Sequence, residues 1–436
     1  MKRICTNLLV VLMMISAVQF AFAQNYVKNV IVLNEGHYDY NNLIQTVPVT
    51  IGSYDPTTHI YAAFDTIHNA RFGSCVVVDS NFIYAAADTF LIKYDRFTHA
   101  RLNAQTVHGI RKIAVWNNQL LITRGEYLVN YLAYFQVYDK NSLSFIYQFD
   151  SLTGPGYSTE GIVVNNDTAY LAVNNGFNYG NEVGFIGKVN LNGQSYIGNI
   201  NLDSTGKNPF SIATDGNTIY TVNNRDYSTA SVSSLGIASG NLTTVGLATS
   251  SGCGASSLVT NYIYYQVSGD TVMNRFNTTS LTNYDTLHIN KNIYGMAHDP
   301  INSLIYAGET DYVTFGKIFI YNLTGTLQDS FTVSVAPGNI ALDVRSSAGI
   351  NSLNNGMKVS VYPNPTTNNL HVEVIGIESN EIINCTITDV LGNVVKNING
   401  TISSLNNISI NDLAAGVYSI SIRSEKGMVT NKIVKE

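Results

Sequence analysis

Short apolar runs separated by tight polar turns recur through most of this chain. One set reads Cys75-Val76-Val77-Val78, then Phe82-Ile83-Tyr84-Ala85-Ala86-Ala87, then Leu91-Ile92-Lys93-Tyr94-Asp95. Another reads Gly161-Ile162-Val163-Val164-Asn165 and then Ala169-Tyr170-Leu171-Ala172-Val173-Asn174-Asn175. A third reads Phe210-Ser211-Ile212-Ala213-Thr214-Asp215 and then Thr218-Ile219-Tyr220-Thr221-Val222-Asn223-Asn224. Nowhere do apolar residues return at i, i+3, i+4 and i+7 over a helical length with caps, so the pattern predicts strands and no helix.

The strands fall into a repeating unit between residues 26 and 344. A first apolar strand and a tight turn lead to a second strand with an aliphatic–Tyr pair. A third strand often ends in Tyr-Asp, and a fourth closes the unit. Seven second strands centre near Leu33, Tyr84, Leu121, Leu171, Tyr220, Tyr264 and Tyr306. Four strands at a period of about 40 to 50 residues read as one propeller blade. Gly338-Asn339-Ile340-Ala341-Leu342-Asp343 is a first strand with no partner after it, and Val30-Ile31-Val32-Leu33-Asn34 is a second strand with no first strand before it. Joining them completes the last blade from both chain ends and leaves no free edge. The fold class expected is all-β: a seven-bladed β-propeller over 24–344, then a small C-terminal β-sandwich over 357–436.

Two resemblances follow. The Tyr170–Asn175 and Tyr220–Asn224 segments resemble the Tyr-Val-Thr-Asn type of propeller repeat. Val32-Leu33-Asn34-Glu35-Gly36, with Gly52-Ser53-Tyr54-Asp55-Pro56-Thr57, is similar to a Bacteroidetes surface-propeller subfamily. That resemblance implies a surface binding protein. It also brings the alternative of corrinoid or nutrient capture beside an outer-membrane transporter, and the Tyr-Val-Thr-Asn resemblance brings that of a lactonase-like hydrolase.

The tail carries Val361-Tyr362-Pro363-Asn364-Pro365-Thr366, then Asp389-Val390-Leu391-Gly392-Asn393, then Leu413-Ala414-Ala415-Gly416-Val417-Tyr418. It resembles the C-terminal sorting domain of the type IX secretion system, with Pro363, Asn364, Pro365, Gly392, Gly416 and Tyr418 as the motif residues. Alternation of Leu370, Val372 and Val374, and of Tyr418, Ile420 and Ile422, predicts a sandwich of about seven strands. The resemblance implies the type IX machinery as partner and an extracellular or outer-membrane-surface location. The small, polar stretch 345–356 is the expected linker.

At the other terminus, Lys2 and Arg3 precede an apolar core and Ala21-Phe22-Ala23, a signal-peptide pattern over residues 1–23. The apolar run is shorter than the roughly twenty residues that span a bilayer, and no transmembrane segment is expected elsewhere.

Composition narrows the function. Charged residues make up 12%, Tyr numbers 28, and the net charge is −6. Lys/Arg clusters are missing, so nucleic acid is not an expected partner. Beyond the signal, Cys75, Cys253 and Cys385 show no metal-like spacing; Cys75 and Cys385 read as buried apolar residues. No Gly-x-Ser-x-Gly, no phosphate loop and no paired-histidine zinc motif occurs, so no catalytic residue, cofactor or metal is assigned.

Blade topology places residues just before first strands and just after second strands at one rim. These are His37, Tyr38 and Tyr40; Arg71; Arg111; Arg124 and Tyr127; Asn174, Asn175, Phe177 and Tyr179; Arg225 and Tyr227; and Glu309 and Tyr312. Tyr and Arg combine flat apolar area with hydrogen-bonding ends. The rim is therefore expected to bind a small organic molecule, a glycan or a surface protein, with the arginines either orienting the ligand or pairing with nearby carboxylates.

Overall fold

The computed structural model describes residues 25–175, 178, 180–225, 229–247, 255–266, 271–346, 358–378, 381–390, 393–424 and 427–436. The signal pattern, Phe177, Tyr179, Tyr227, Cys253, Gly392 and most of the linker lie outside them. Among the described residues the only helical turn is a 3₁₀ turn at Ile402–Leu405. The chain divides into two compact units, Tyr26–Arg345 and one holding Ser346–Glu436.

The first unit is a seven-bladed β-propeller. Each blade is a four-stranded antiparallel sheet, and six blades take their strands in chain order. Blade 1 takes its inner strand, Pro337–Ser346, from the end of the unit and its second strand, Asn25–Asn34, from the beginning. Val49–Asp55 and Ile60–Ile67 complete it. Blades 2 to 7 have inner strands Gly73–Val78, Ile110–Trp116, Ser158–Asn165, Pro209–Thr214, Ser256–Val259 and Ile293–Asp299.

The second strands read as unbroken apolar runs because both faces are buried. Side chains alternate across a strand, so each one serves two cores. Ile83, Ala85 and Ala87 of blade 2 pack with Ile31, Leu33 and Ile51 of blade 1. Tyr84 and Ala86 of the same strand pack with Ile110, Leu120 and Ile122 of blade 3. The arrangement continues around the ring, with cores between blades 3 and 4, 4 and 5, 5 and 6, and 6 and 7. The last core joins Tyr306, Ile318 and Ile320 of blade 7 to Val30, Val32 and Tyr54 of blade 1, which closes the circle. Outer strands are wet: every residue of Arg101–Thr106 is exposed.

A buried charge cluster fastens the closing blade. Asp343, near the end of its inner strand, has a fully buried side chain paired with Arg96 of blade 2 and with Arg345. The Arg96 guanidinium also donates to the carbonyls of Asp79, at 2.9 Å, and Ser80, at 3.0 Å. Asn29, on the neighbouring strand, donates to Asp343 at 3.3 Å.

The second unit is a β-sandwich of a three-stranded and a four-stranded sheet around one core that includes Leu370, Val372, Cys385, Ile387, Ile420 and Ile433. Cys75 and Cys385 are buried free thiols. Asn364 clips the final strand from both sides: its amide donates to the Lys432 carbonyl at 2.8 Å and its oxygen accepts from Val434 N–H at 2.9 Å. Tyr418 Oη donates to the Ala414 carbonyl at 2.9 Å across the turn holding Gly416.

Candidate functional site

All seven inner strands face a central channel that opens at the end where second strands finish. There the ring is pinned by a repeated backbone bond from just after a second strand to just before the inner strand. It runs from Asp88 N to Phe72 O, Gly125 N to Gly109 O and Asn224 N to Asn208 O, each 2.9 Å, and from Thr310 N to Asn292 O, 3.2 Å. In blade 1 Glu35 N reaches Ala336 O at 2.9 Å.

Immediately inside this collar, five inner strands carry a register shift. It falls at Ser74, at Arg111-Lys112, at Glu160-Gly161, at Phe210 and at Tyr294. A bulge inserts a residue, breaks the alternation of the ladder and re-aims the side chain there. The bulged residues all line the channel, which has a volume of about 650 Å³. Tyr40, Phe72, Asn174, Asn339 and Glu35 line it as well.

The charged groups of the channel are unequal. Arg111 Nε lies 2.9 Å from both carboxylate oxygens of Glu160. The terminal nitrogens of Arg111 make no hydrogen bond to a described residue. Lys112 Nζ donates to the Ser74 carbonyl at 2.7 Å and to Asn339 Oδ1 at 3.1 Å, and pairs with no carboxylate among the described residues. Asn339 is itself held by donation to the Gly73 carbonyl at 3.2 Å. Glu35 accepts from Tyr294 Oη at 2.5 Å. Burial pushes the Glu35 carboxyl up to about 7, against the opposing pull of the Tyr294 hydrogen bond, Lys112 and Arg111.

The other rim residues separate into those at the channel and those employed elsewhere. Tyr40 stands edge-to-face with Tyr38 at 4.9 Å, and Tyr312 packs edge-to-face on Tyr294 at 5.1 Å. Asn174 is buried and donates to the Pro209 carbonyl at 2.7 Å. Asn175 holds its own loop, donating to Asn181 O at 2.6 Å and accepting from Val183 N at 2.7 Å. His37 bonds Thr46 within the small blade 1 hairpin His37–Asp39/Ile44–Val47.

The arginines are mostly spent on scaffolding. Arg71 pairs with Asp88 at 2.6 Å and Glu126 at 2.7 Å. Arg124 donates to the carbonyls of His108, at 2.8 Å, and Ala133, at 2.7 Å, and lies 4.2 Å from the Tyr131 ring centre. Arg225 adopts a positive φ of 44° and its carbonyl accepts from Asn208 at 2.6 Å. Glu309 pairs with Lys291 at 3.0 Å. Of the arginines read from sequence, Arg111 alone lines the channel. Lys112, Ser74 and Asn339 escaped that reading; the signal for Lys112 was a second charge, beside Arg111, in the strand Ile110–Trp116.

Around the channel the mouth is apolar at its tips. Leu128 and Leu132 on the blade 3 loop are 78% and 85% exposed, Leu43 on the blade 1 hairpin is 71% exposed, and Phe315 of blade 7 is 69% exposed. Among the described residues, no group of three or more His, Cys, Asp or Glu side chains is placed to hold a metal ion.

Comparison with known proteins bears on both units. Residues 360–436 match the family model described as a secretion system C-terminal sorting domain. The tail is a sorting domain. It addresses the chain to the type IX secretion machinery, and hence to the cell surface or the extracellular space. No helix among the described residues is long and apolar enough to cross a membrane. No curated protein matches the chain. Among solved structures, the chain is similar to a functionally unknown protein from Desulfotomaculum acetoxidans, at 13% identity and TM-score 0.54, covering 72% of this chain and 98% of that one. It is also similar to the extracellular domain of a B. thetaiotaomicron protein named as a one-component system, at 14% identity and TM-score 0.51, covering 96% of this chain and 60% of that one. A third likeness is to BamB from Moraxella catarrhalis, at 12% identity and TM-score 0.45, over 80% and 96% of the two chains. At these identities the likeness concerns fold alone.

Proposed function

We propose that this exported protein is a binding module that holds a small organic ligand in the propeller channel, polar end inward and apolar part against the rim. One observation carries the reading: bulges on five inner strands aim Ser74, Arg111-Lys112, Glu160, Phe210 and Tyr294 into a single open cavity of about 650 Å³. Cavities of roughly 300–1,000 Å³ with a few convergent polar groups are the usual form of small-ligand sites. Phe72, Phe210, Tyr40 and Tyr294 supply flat apolar walls. The sheets hold these groups on rigid strands, and the loops set what can enter.

The test is a thermal-shift screen of the full chain against small organic acids, amides, corrinoids and glycan fragments, repeated on Met296→Trp. Met296 lines the channel, and the larger ring fills it. Hits that vanish in the variant support the reading. Hits that all persist place binding elsewhere and end it.

A second reading has its own observation. Glu35, a carboxyl with its midpoint raised to about 7 beside the Tyr294 hydroxyl, is suited to proton transfer. A lactonase-like hydrolase would use it as general base. Turnover of a lactone panel that Glu35→Gln abolishes would favour this reading over simple binding; no turnover by the intact protein would remove it.

A further inference from the structure

The two cations of the blade 3 bulge differ from Arg71, Arg124 and Lys291, which stand at the same mouth. Arg71 and Lys291 each meet a carboxylate, and Arg124 is consumed by carbonyls. The Arg111 guanidinium, however, uses only its Nε on Glu160 and leaves its terminal N–H groups unbonded to any described residue. Lys112 is fixed by two neutral oxygens, Ser74 O and Asn339 Oδ1, which position the ammonium without neutralising it. An ammonium has three N–H donors, so one remains after these two bonds. Both residues border the open cavity. They are neighbours in sequence, and the register shift between Ile110 and Ile113 places them at a bulge.

We propose that Arg111 and Lys112 form a seat for the carboxylate of an organic acid, with the uncharged remainder of the ligand directed past Tyr40 and Phe72 toward the mouth. The proposal rests on the channel being the binding site and adds the ligand's charge. A carboxylate accepts charge-assisted hydrogen bonds from both a guanidinium edge and an ammonium, in the short, strong geometry neutral acceptors do not reach. The charge count agrees. Arg111 and Glu160 cancel, which leaves Lys112 uncompensated whenever Glu35 is protonated.

The groups around Glu35 are Tyr294 from blade 7, Tyr40 from the blade 1 hairpin, Arg111 and Lys112 from blade 3, and Glu160 from blade 4. Among the described residues no other carboxyl borders the channel. A ligand anion would therefore hold a proton on Glu35, and affinity would fall as pH rises through the Glu35 titration.

The experiment compares benzoate with its uncharged isostere benzamide, by calorimetry on the full chain, below and above that titration. Benzoate is expected to bind more tightly by about tenfold or more, the worth of a charge-assisted hydrogen bond. The advantage should shrink at the higher pH and disappear in Lys112→Gln, which keeps a donor for Ser74 but no charge. Benzamide binding as well as benzoate overturns the anion seat and leaves the channel reading intact. Binding of neither probe overturns the seat. Benzoate binding that survives Met296→Trp lies outside the channel and overturns seat and channel together. Should Lys112→Gln fail to fold, the benzoate-to-benzamide ratio of the unaltered protein and its pH dependence decide alone.

Discussion

At the end of the propeller away from the mouth, blade after blade uses one device, whereas at the mouth the bulged side chains differ from blade to blade. The turns between third and fourth strands show the first case. Asp55, Asp95, Asp139, Asn190, Asn277 and Asn322 each end or nearly end a strand and accept backbone N–H groups two or three residues on, at 2.7 to 3.0 Å. An Asx side chain of this kind imitates a turn of backbone and fixes the strand exit. At the mouth, bulges stand at corresponding places in five blades, yet they carry Ser, Arg-Lys, Glu-Gly, Phe and Tyr. The backbone deviation is repeated while the side chain changes. A repeated turn with repeated chemistry is scaffold, whereas a repeated bulge with changing chemistry leaves the backbone constant and the side chain free to differ.

The comparison breaks most sharply at Asp343, on the scaffold end. Its carboxylate is fully buried between Arg96 and Arg345 and ties the closing blade to blade 2. Removing one partner of a buried charge cluster leaves the others uncompensated and costs about 3–5 kcal/mol. Asp343→Ala should lower the denaturant midpoint of the propeller by a corresponding amount. A loss no larger than that of a surface substitution would show that the ring closes without this fastening.

Glu35 tests the mouth by pH. Its folded-state midpoint of about 7 stands above the ordinary 4.5, so between the two the native state binds the extra proton. Stability contributed by the neutral form is complete below the lower value and is lost as pH rises through the upper one. The change amounts to about 3 kcal/mol. Denaturation curves across this window should show the decline, and Glu35→Gln should flatten it. An unaltered slope in the variant would mean that another group carries the titration.

A smaller effect is expected at a single scaffold turn. Asp95 accepts from Phe97 N, Thr98 N and Thr98 Oγ1 at 2.7 to 3.0 Å. Asp95→Ala should cost about 1 kcal/mol, the net worth of such bonds. Asp95→Asn, which keeps the accepting oxygen, should recover most of it.

How much of this was open to reading from sequence follows from the same contrast. The second strands are buried on both faces, so Phe82–Ala87 and Thr168–Asn174 carry unbroken apolar runs that no loop or surface helix would keep. The Tyr-Asp ends of third strands mark turns by local chemistry, and the tail motif around Asn364 marks a clip between strand and turn. The closing blade was visible because each chain end supplied an unpartnered strand. A bulge, by contrast, is a property of two paired strands and leaves little trace in either. Lys112 was therefore missed in the sequence, although the bulge places it at the channel. Arginine pairing was equally hidden. Arg71 meets Glu126 across more than fifty positions of sequence, and only the closed ring brings them to 2.7 Å.

The smallest effect falls on the mouth tips, and its smallness is what gives it value. Leu128 and Leu132 are 78% and 85% exposed and belong to none of the seven inter-blade cores. Exchanging both for Ser should change stability by no more than about 0.5 kcal/mol, since little buried surface is lost. If the mouth is functional, the same exchange should weaken any ligand whose apolar part rests on the rim, while Asp95→Ala should leave that ligand's affinity unchanged. The two substitutions thus move stability and binding in opposite combinations. Were the leucine exchange to destabilise the propeller by as much as the turn substitution does, the blade 3 loop would be part of the scaffold, and the division between the two ends of the ring would not hold.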